Sequence, residues 1–408
     1  MPPSLKILRA GLRRTTEALA ADLAAPQVDP STPDWNALEW QLVMAAAAAH
    51  GVSPLLCNRS SWQNAPWQSF LASQREHVAH RHKRITALLE RIDLGARAAG
   101  LALVPLKGSA LHALGIYQPG ERAMADIDLL VRECEAESTA ALLQELGYVE
   151  AYVTWKHRVF KPILGKVTAG LGEHRDNQIS IELHSRIKEP LPVSVVDITP
   201  RVFPGRPRAG LNPYPSTGAL MSHLLLHTAG NIRSRTLRLL NLHDIARLAT
   251  QMTAEDWNTL WAEHATDDPW WALPPLRLTA RYYGNVVPEW VLKRLQASCP
   301  LWLRNFSSRQ TLTQASCSDL WIQALPGIEW SRSFGEAGRY IRNRVHPSKE
   351  TNRERAQIIP TQPWAANQRW AMLSRRRQIL VRLTRRVPRI DMLYVLRAAI
   401  AQPSAQGP

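Results

Sequence analysis

Apolar side chains recur at three- and four-residue spacing along most of this chain, and the pattern changes character between residues 101 and 186. Helical spacing predicts a first helix over Pro3 to Ala24, closed by Ala25-Pro26 with Pro30 and Pro33 beyond it. A second runs from Trp35 to Ala49 and stops at His50-Gly51. Gln68 to Ala98 is the longest such pattern, with Leu71, Val78, Ile85, Leu88, Leu89 and Ile92 on its apolar side. His77, His80 and His82 share this helix with Arg75, Arg81, Lys83 and Arg84, which reads as a solvated basic face rather than a metal site. Leu101-Ala102-Leu103-Val104-Pro105 has the length and continuity of a buried strand, and Ala110 to Tyr117 reads as the helix after it. Ile127 to Val131 and Ser180 to His184 have the strand period of two. Between them, Glu135 to Leu146 is a helix closed by Gly147, and Tyr148 to Lys166 holds one or two strands, in which Trp155-Lys156-His157-Arg158 either lines a pocket or forms an exposed basic hairpin.

Seven prolines between Lys188 and Thr217 exclude a helix interior or a central strand there and mark a boundary. Gly218 to Ala249 is helical again, with Leu220, Leu224, Leu237, Leu240 and Ile245 toward a core. Trp257, Trp261, Trp270 and Trp271 supply bulk between helices. Cys299 to Trp330 continues as helix with poor caps, and Arg332 to Pro363 is polar and basic, with Arg342 to Ser348 a loop or a phosphate holder. Trp370 to Ile400 is a basic helical tract broken at Pro388. These elements give an α+β chain: a helical region over 1–97, a sheet-containing core over 98–212, a helical domain over 213–330 and a basic helical region over 331–408.

Composition narrows the class. At 408 residues, with 45% apolar and 21% charged content, the chain is long enough for two or three folded domains. The longest apolar run, Leu42 to Ala49, is far short of the roughly 20 residues that cross a bilayer. No apolar segment with a cleavage site follows the basic N-terminus, so a cytoplasmic location is expected. Cys57, Cys134, Cys299 and Cys317 are widely spaced, which argues against a zinc knuckle or a disulfide framework. The net charge is +16. From Ser331 to Pro408 there are 16 Lys or Arg against 4 Asp or Glu, so most of the excess lies in the last fifth of the chain. Such a region suits nucleic acid, an anionic lipid surface or an acidic partner, and charge alone does not choose among them.

The chemistry concentrates where the pattern changes. On a strand, Asp126 and Asp128 face the same side while Ile127 and Leu129 turn inward. Two carboxylates about 5 Å apart repel by roughly 3 kcal/mol at an effective dielectric near 20, so a cation is expected between them. Oxygen ligands favour magnesium or manganese. Glu182 offers a third carboxylate and shares its strand face with His184. Upstream, Lys107-Gly108-Ser109 opens a helix, where backbone amides, a hydroxyl and an ammonium suit a phosphate. His223, His227 and His243-Asp244 imitate a phosphohydrolase metal set, but the remaining spacing of that set is absent, and helix packing or contact with a nucleotide from the second domain is the better reading.

A Gly-Ser turn, a helix, an Asp-x-Asp strand and a later strand with one acid resemble the nucleotidyltransferase superfamily with the DNA polymerase beta-like fold. More narrowly, Leu106-Lys107-Gly108, Tyr117, Arg122, Asp126-Ile127-Asp128-Leu129-Leu130-Val131, Gly147-Tyr148 and Ile181-Glu182-Leu183-His184 resemble its uncharacterised bacterial nucleotidyltransferase family. The resemblance implies a small mixed sheet with helices and transfer of a nucleoside monophosphate from a nucleoside triphosphate, ATP among them, to a hydroxyl or similar acceptor. It implies Asp126, Asp128 and Glu182 as catalytic metal ligands for Mg2+ or Mn2+. Lys107, Gly108, Ser109 and Arg122 would hold the nucleotide, with His184 behind the ligands. The acceptor is expected to be a small molecule, a peptide or a protein. Nucleic acid is less favoured because no RNA-binding module is recognisable, and peripheral membrane contact would fall to the basic C-terminal region. The alternative is a catalytically silent scaffold that keeps the fold and a basic partner-binding tail.

Overall fold

The period-two segments become strands of one sheet. The computed structural model describes residues 3–24, 32–60, 62–165, 170–261, 268–362, 364 and 373–401. Its strands are β1 (Ala102–Pro105), β2 (Asp126–Leu130), β3 (Tyr148–Val153), β4 (Arg158–Pro162), β5 (Ser180–His184), β6 (Lys188–Pro190), β7 (Val195–Asp197) and β8 (Gly210–Leu211). Six of them form a sheet in the order β3-β4-β5-β2-β1-β8, while β6 and β7 pair separately. The β2–β5 and β1–β8 pairings are parallel and the others antiparallel, so the sheet is mixed. Despite the prolines, the segment after Lys188 thus supplies a short hairpin and a two-residue strand, but only at the sheet's edge or outside it.

One sheet face is apolar. Leu103, Ile127, Leu129, Ile181 and Leu183 are buried against Ile85, Leu88 and Ile92 of the long Ala65–Ala98 helix and against Leu142 and Leu143 of the Ala136–Glu145 helix. Each such side chain contributes about 1.5–3 kcal/mol by leaving water, so the sheet's orientation is set by this face. The opposite face carries the acids.

A second, larger apolar cluster runs from Leu8 to Ala399 and unites the helices before the sheet with those after it. The Ile390–Ile400 helix packs on the Ala37–Ala49 helix. Asn36 caps the latter, accepting from Glu39 N while the Glu39 side chain accepts from Asn36 N. Among the described residues no helix is long and apolar enough to cross a membrane.

Two expectations change. The stretch Arg342 to Ser348, expected as loop or phosphate holder, instead ends one helix and caps the next: Phe334–Val345 is capped by Ser333 and Lys349–Ile358 by Ser348. The serine caps overcome the poor apolar content. The basic face of the long helix is not wholly solvated, since Arg81 is only 2% exposed. Its guanidinium donates to the carbonyls of Met124, Ala125 and Asn177, tying the entry of β2 to the loop before β5. Of the C-terminal tract, Arg375–Thr384 and Ile390–Ile400 are helices flanking Pro388; its start at Trp370, like Lys166 earlier, lies outside the described residues.

Several histidines are folded in neutral. His50 is fully buried, accepting the Leu239 N–H at Nδ1 (3.0 Å) with Nε2 3.0 Å from the Ser318 hydroxyl. Burial, reinforced by Arg238, lowers its pKa to about 4. Burial likewise lowers His112 and His157 to about 4, and His223 and His243 to about 3. Unfolded, each takes a proton below about pH 6.5 that the fold refuses, so their contribution is complete above that pH and is lost as pH falls toward 4. We expect the unfolding free energy to drop between pH 6.5 and 4.5 by up to about 3 kcal/mol per histidine. Denaturant titrations at pH 7.5, 6 and 5 measure this, and equal midpoints would contradict it.

Candidate active site

Strand register brings the three acids together. In the parallel β2–β5 pair, Asp126 lies opposite Ser180 and Asp128 opposite Glu182. Adjacent strands are about 4.8 Å apart and alternate residues share a face, so Asp126, Asp128 and Glu182 project to the side away from the apolar layer. All three line one cavity of about 360 Å³. Lys107, Gly108, Ser109 and Arg122 line it as well.

The opposite wall comes from the helical domain. The Thr217–Ser234 helix supplies Leu224, His227, Thr228 and Asn231, and the following turn and Leu239–Ala249 helix supply Thr236, Arg238, Leu240, Asn241 and Asp244. The cavity therefore lies between the sheet and two helices. Its size is in the range of small-molecule sites.

Lys107 connects the loop to the acids. Its Nζ is 2.7 Å from Asp128 Oδ1, and His184 Nε2 is 3.0 Å from the same oxygen. Burial alone would raise the Asp128 pKa, but Lys107 and His184 overcome it and hold the carboxyl well below its ordinary range. Burial would lower Lys107, yet Asp128, Glu182 and Asp126 keep it above its ordinary value. Among the described residues Asp126 has no such partner. Burial, then repulsion from Asp128 and Glu182, pushes it up to about 7. The three acids are thus electrostatically unequal, and the deficit of positive charge sits at Asp126.

The turn itself is strained. Lys107 has φ 47° and ψ −112°, a backbone region unfavourable to a side chain. Its N–H donates to the Tyr214 hydroxyl (3.3 Å), which is 2.7 Å from His223 Nδ1. Gly108 begins the helix rather than preceding it, and that helix, Gly108–Ala113, is six residues long. The expected end at Tyr117 is not reached because Gly115 takes a positive φ of 69°. A Cβ on Gly108 would stand 2.2 Å from Arg122 Nη1, so glycine is needed for this close approach. The Ser109 N–H donates to the Leu106 carbonyl at 3.2 Å, while its hydroxyl makes no hydrogen bond among the described residues.

Arg122 does not reach freely into the cavity. It is buried and forms a bidentate pair with Asp244, Nε to Oδ1 at 2.8 Å and Nη2 to Oδ2 at 2.7 Å, and the Tyr117 hydroxyl donates to the same carboxylate. His243 meets the Tyr283 hydroxyl and His227 meets Asn231, so the histidines of the helical domain do not converge with Asp244 on a metal.

His157, which the sequence offers only within a Trp155 to Arg158 stretch that lines a pocket or forms an exposed basic hairpin, reaches the site. It lies beside β4, with Nδ1 3.5 Å from Glu182 Oε2. Together with His184 and Glu182 it forms a cluster whose ligand atoms all lie within 4.8 Å of one another. Asp244, Tyr214 and Arg238 were also unassigned; only the His243-Asp244 pair had drawn attention, for a different chemistry. Arg238 lines the cavity and lowers Asp126 electrostatically.

A mixed sheet carrying an Asp-x-Asp strand, a parallel neighbour with one acid and a glycine-serine helix start defines a nucleotidyltransferase-type core. A family model described as Uncharacterised nucleotidyltransferase matches residues 36–268, more than half of the chain, and the chain belongs to that family. No curated protein and no solved structure matches it. Membership supports nucleotidyl transfer as the general class of chemistry.

Proposed function

We propose that the chain is a metal-dependent nucleotidyltransferase that moves a nucleoside monophosphate from a nucleoside triphosphate to a hydroxyl or similar acceptor and releases pyrophosphate. The observation that carries this reading is the parallel register setting Glu182 opposite Asp128 beside Lys107 and Ser109 in one cavity.

The donor set fits a divalent cation, because Asp126 is half-buried beside two other carboxylates and, among the described residues, no cation touches it. Asp126, Asp128 and Glu182 would hold Mg2+ or Mn2+, which supplies charge stabilisation for the triphosphate and lowers the pKa of an acceptor hydroxyl. The chain's own groups do the positioning. The Ser109 hydroxyl and the Lys107 ammonium receive the phosphates. Arg238, which makes no ion pair among the described residues, adds positive charge on the opposite wall. Arg122 acts by holding Asp244 and Gly108 in place rather than as a free phosphate ligand. Glu182, with His157 and His184 within reach, is placed to accept the acceptor's proton.

One observation favours the alternative of a silent scaffold: Lys107 and His184 already share Asp128 Oδ1, so part of the carboxylate is engaged by the protein's own cations. Incubating the protein with each labelled triphosphate, Mg2+ or Mn2+, and a host-cell extract separates the two. Metal-dependent label on an acceptor, with pyrophosphate released, is the expected result. No label with any base, together with no metal-dependent thermal stabilisation by triphosphates, would establish the scaffold.

A further inference from the structure

The arginines of the C-terminal region do not simply face solvent. Helices Phe334–Val345 and Arg375–Thr384 pack together, and near the end of the Thr217–Ser234 helix there is a second cavity of about 300 Å³. Arg233, Arg235, Arg344, Arg382 and Arg389 line it, and Asp391 is the one acidic lining residue among those described.

Arg235 and Arg389 each face a carboxylate. Arg235 Nη2 is 2.7 Å from Glu329 and Arg389 Nη2 is 2.8 Å from Asp391. Arg233 and Arg344 have no carboxylate partner among the described residues; Arg344 lies over the Tyr340 ring at 5.9 Å. The buried Nε of Arg233 and Nη1 of Arg235 make no hydrogen bond among the described residues. Folds rarely leave buried donors unsatisfied, and guanidinium donors least cheaply. The crowding is mutual. Burial first, then Arg344, Arg375 and Arg355, pull the Arg382 pKa down to about 10, and burial with Arg344 lowers Arg233 against the opposing pull of Glu189.

We propose that this cavity binds a small phosphate-bearing anion, at a site distinct from the nucleotide cavity. A phosphate presents enough oxygens to satisfy the unpaired Arg233 and Arg235 donors and enough charge to offset Arg344. A single carboxylate has one charge and two oxygens for the same set of forks. The two cavities meet at one turn, since Arg235 lines this one and Thr236 lines the nucleotide cavity. This site does not depend on the nucleotidyl-transfer reading.

The test is thermal unfolding of the full chain in EDTA with inorganic phosphate or pyrophosphate, against sodium chloride at equal ionic strength. The wild type is expected to be stabilised by the phosphates beyond chloride. In Arg344→Gln the apparent affinity should weaken by about tenfold or more, while the melting temperature at low salt without phosphate is unchanged or higher because repulsion is removed. Chloride matching phosphate, or Arg344→Gln keeping the response, would overturn the site. Should Arg344→Gln not fold, Arg344→Lys keeps the charge, removes the fork and carries the same comparison.

Discussion

Asp126→Asn is expected to abolish nucleotidyl transfer while making the metal-free protein harder to unfold at pH 8. Asp126 has a folded pKa of about 7, against about 3.9 for an unfolded aspartate. Its contribution to stability is therefore complete below about pH 4 and is lost as pH rises through 7, because ionisation puts a third negative charge beside Asp128 and Glu182. An amide of the same shape removes that charge. The stabilisation at pH 8 should be on the order of 1–3 kcal/mol. The loss of transfer should be about a thousandfold or more, since a proposed metal ligand is removed from the reacting charge. Melts in EDTA at pH 5 and pH 8, with a transfer assay, measure both. The wild type should lose more stability than the variant between the two pH values after the common histidine effect is subtracted. Asp128→Asn should behave oppositely in stability, because Lys107 and His184 both rest on that carboxylate. A variant at Asp126 that melts earlier at pH 8, or keeps transfer, would contradict this account.

Arg122→Ala should cost about 3–5 kcal/mol of stability, the usual loss when one partner of a buried pair is removed. Asp244 is only 1% exposed and would be left as an uncompensated buried charge with the Tyr117 hydroxyl as its remaining partner. The pair is also the strut between the core and the helical domain, so its loss should open the cavity and raise the triphosphate concentration needed for binding. Asp244→Ala in the same chain should restore part of the stability, with a coupling energy above about 1 kcal/mol. Denaturant melts of the two single variants and the double close this cycle. Additive losses would mean that the two side chains do not act as a pair.

The two expectations differ in how far the chain's local pattern reveals them. Asp126 and Asp128 are two residues apart on one strand, so their shared face follows from the period of two. Glu182 was legible by the same rule, because Ile181 and Leu183 show which way its strand faces. Arg122 was legible only as a cation near the acids. Its partner lies 122 positions away on a helix from another part of the chain, and no periodicity joins the two. Arg81 misled for a related reason: its neighbours along the helix are basic and solvated, while the carbonyls it serves come from residues more than forty positions on. His157 sits at the start of β4, where an exposed hairpin was as good a reading.

Local chemistry therefore determined the elements, the α+β class, the acid-bearing strands and the Lys107-Gly108-Ser109 turn, because backbone hydrogen bonding and side-chain alternation act over a few residues. The tertiary structure alone decided that helices from both ends of the chain share one apolar cluster, that Arg122 is committed to Asp244, that Lys107 rests on Asp128, and that five C-terminal and helical-domain arginines surround a cavity. Those outcomes depend on burying charge where only distant partners can neutralise it, and the energy of a buried ion depends on the groups within a few ångströms in space rather than on its neighbours along the chain.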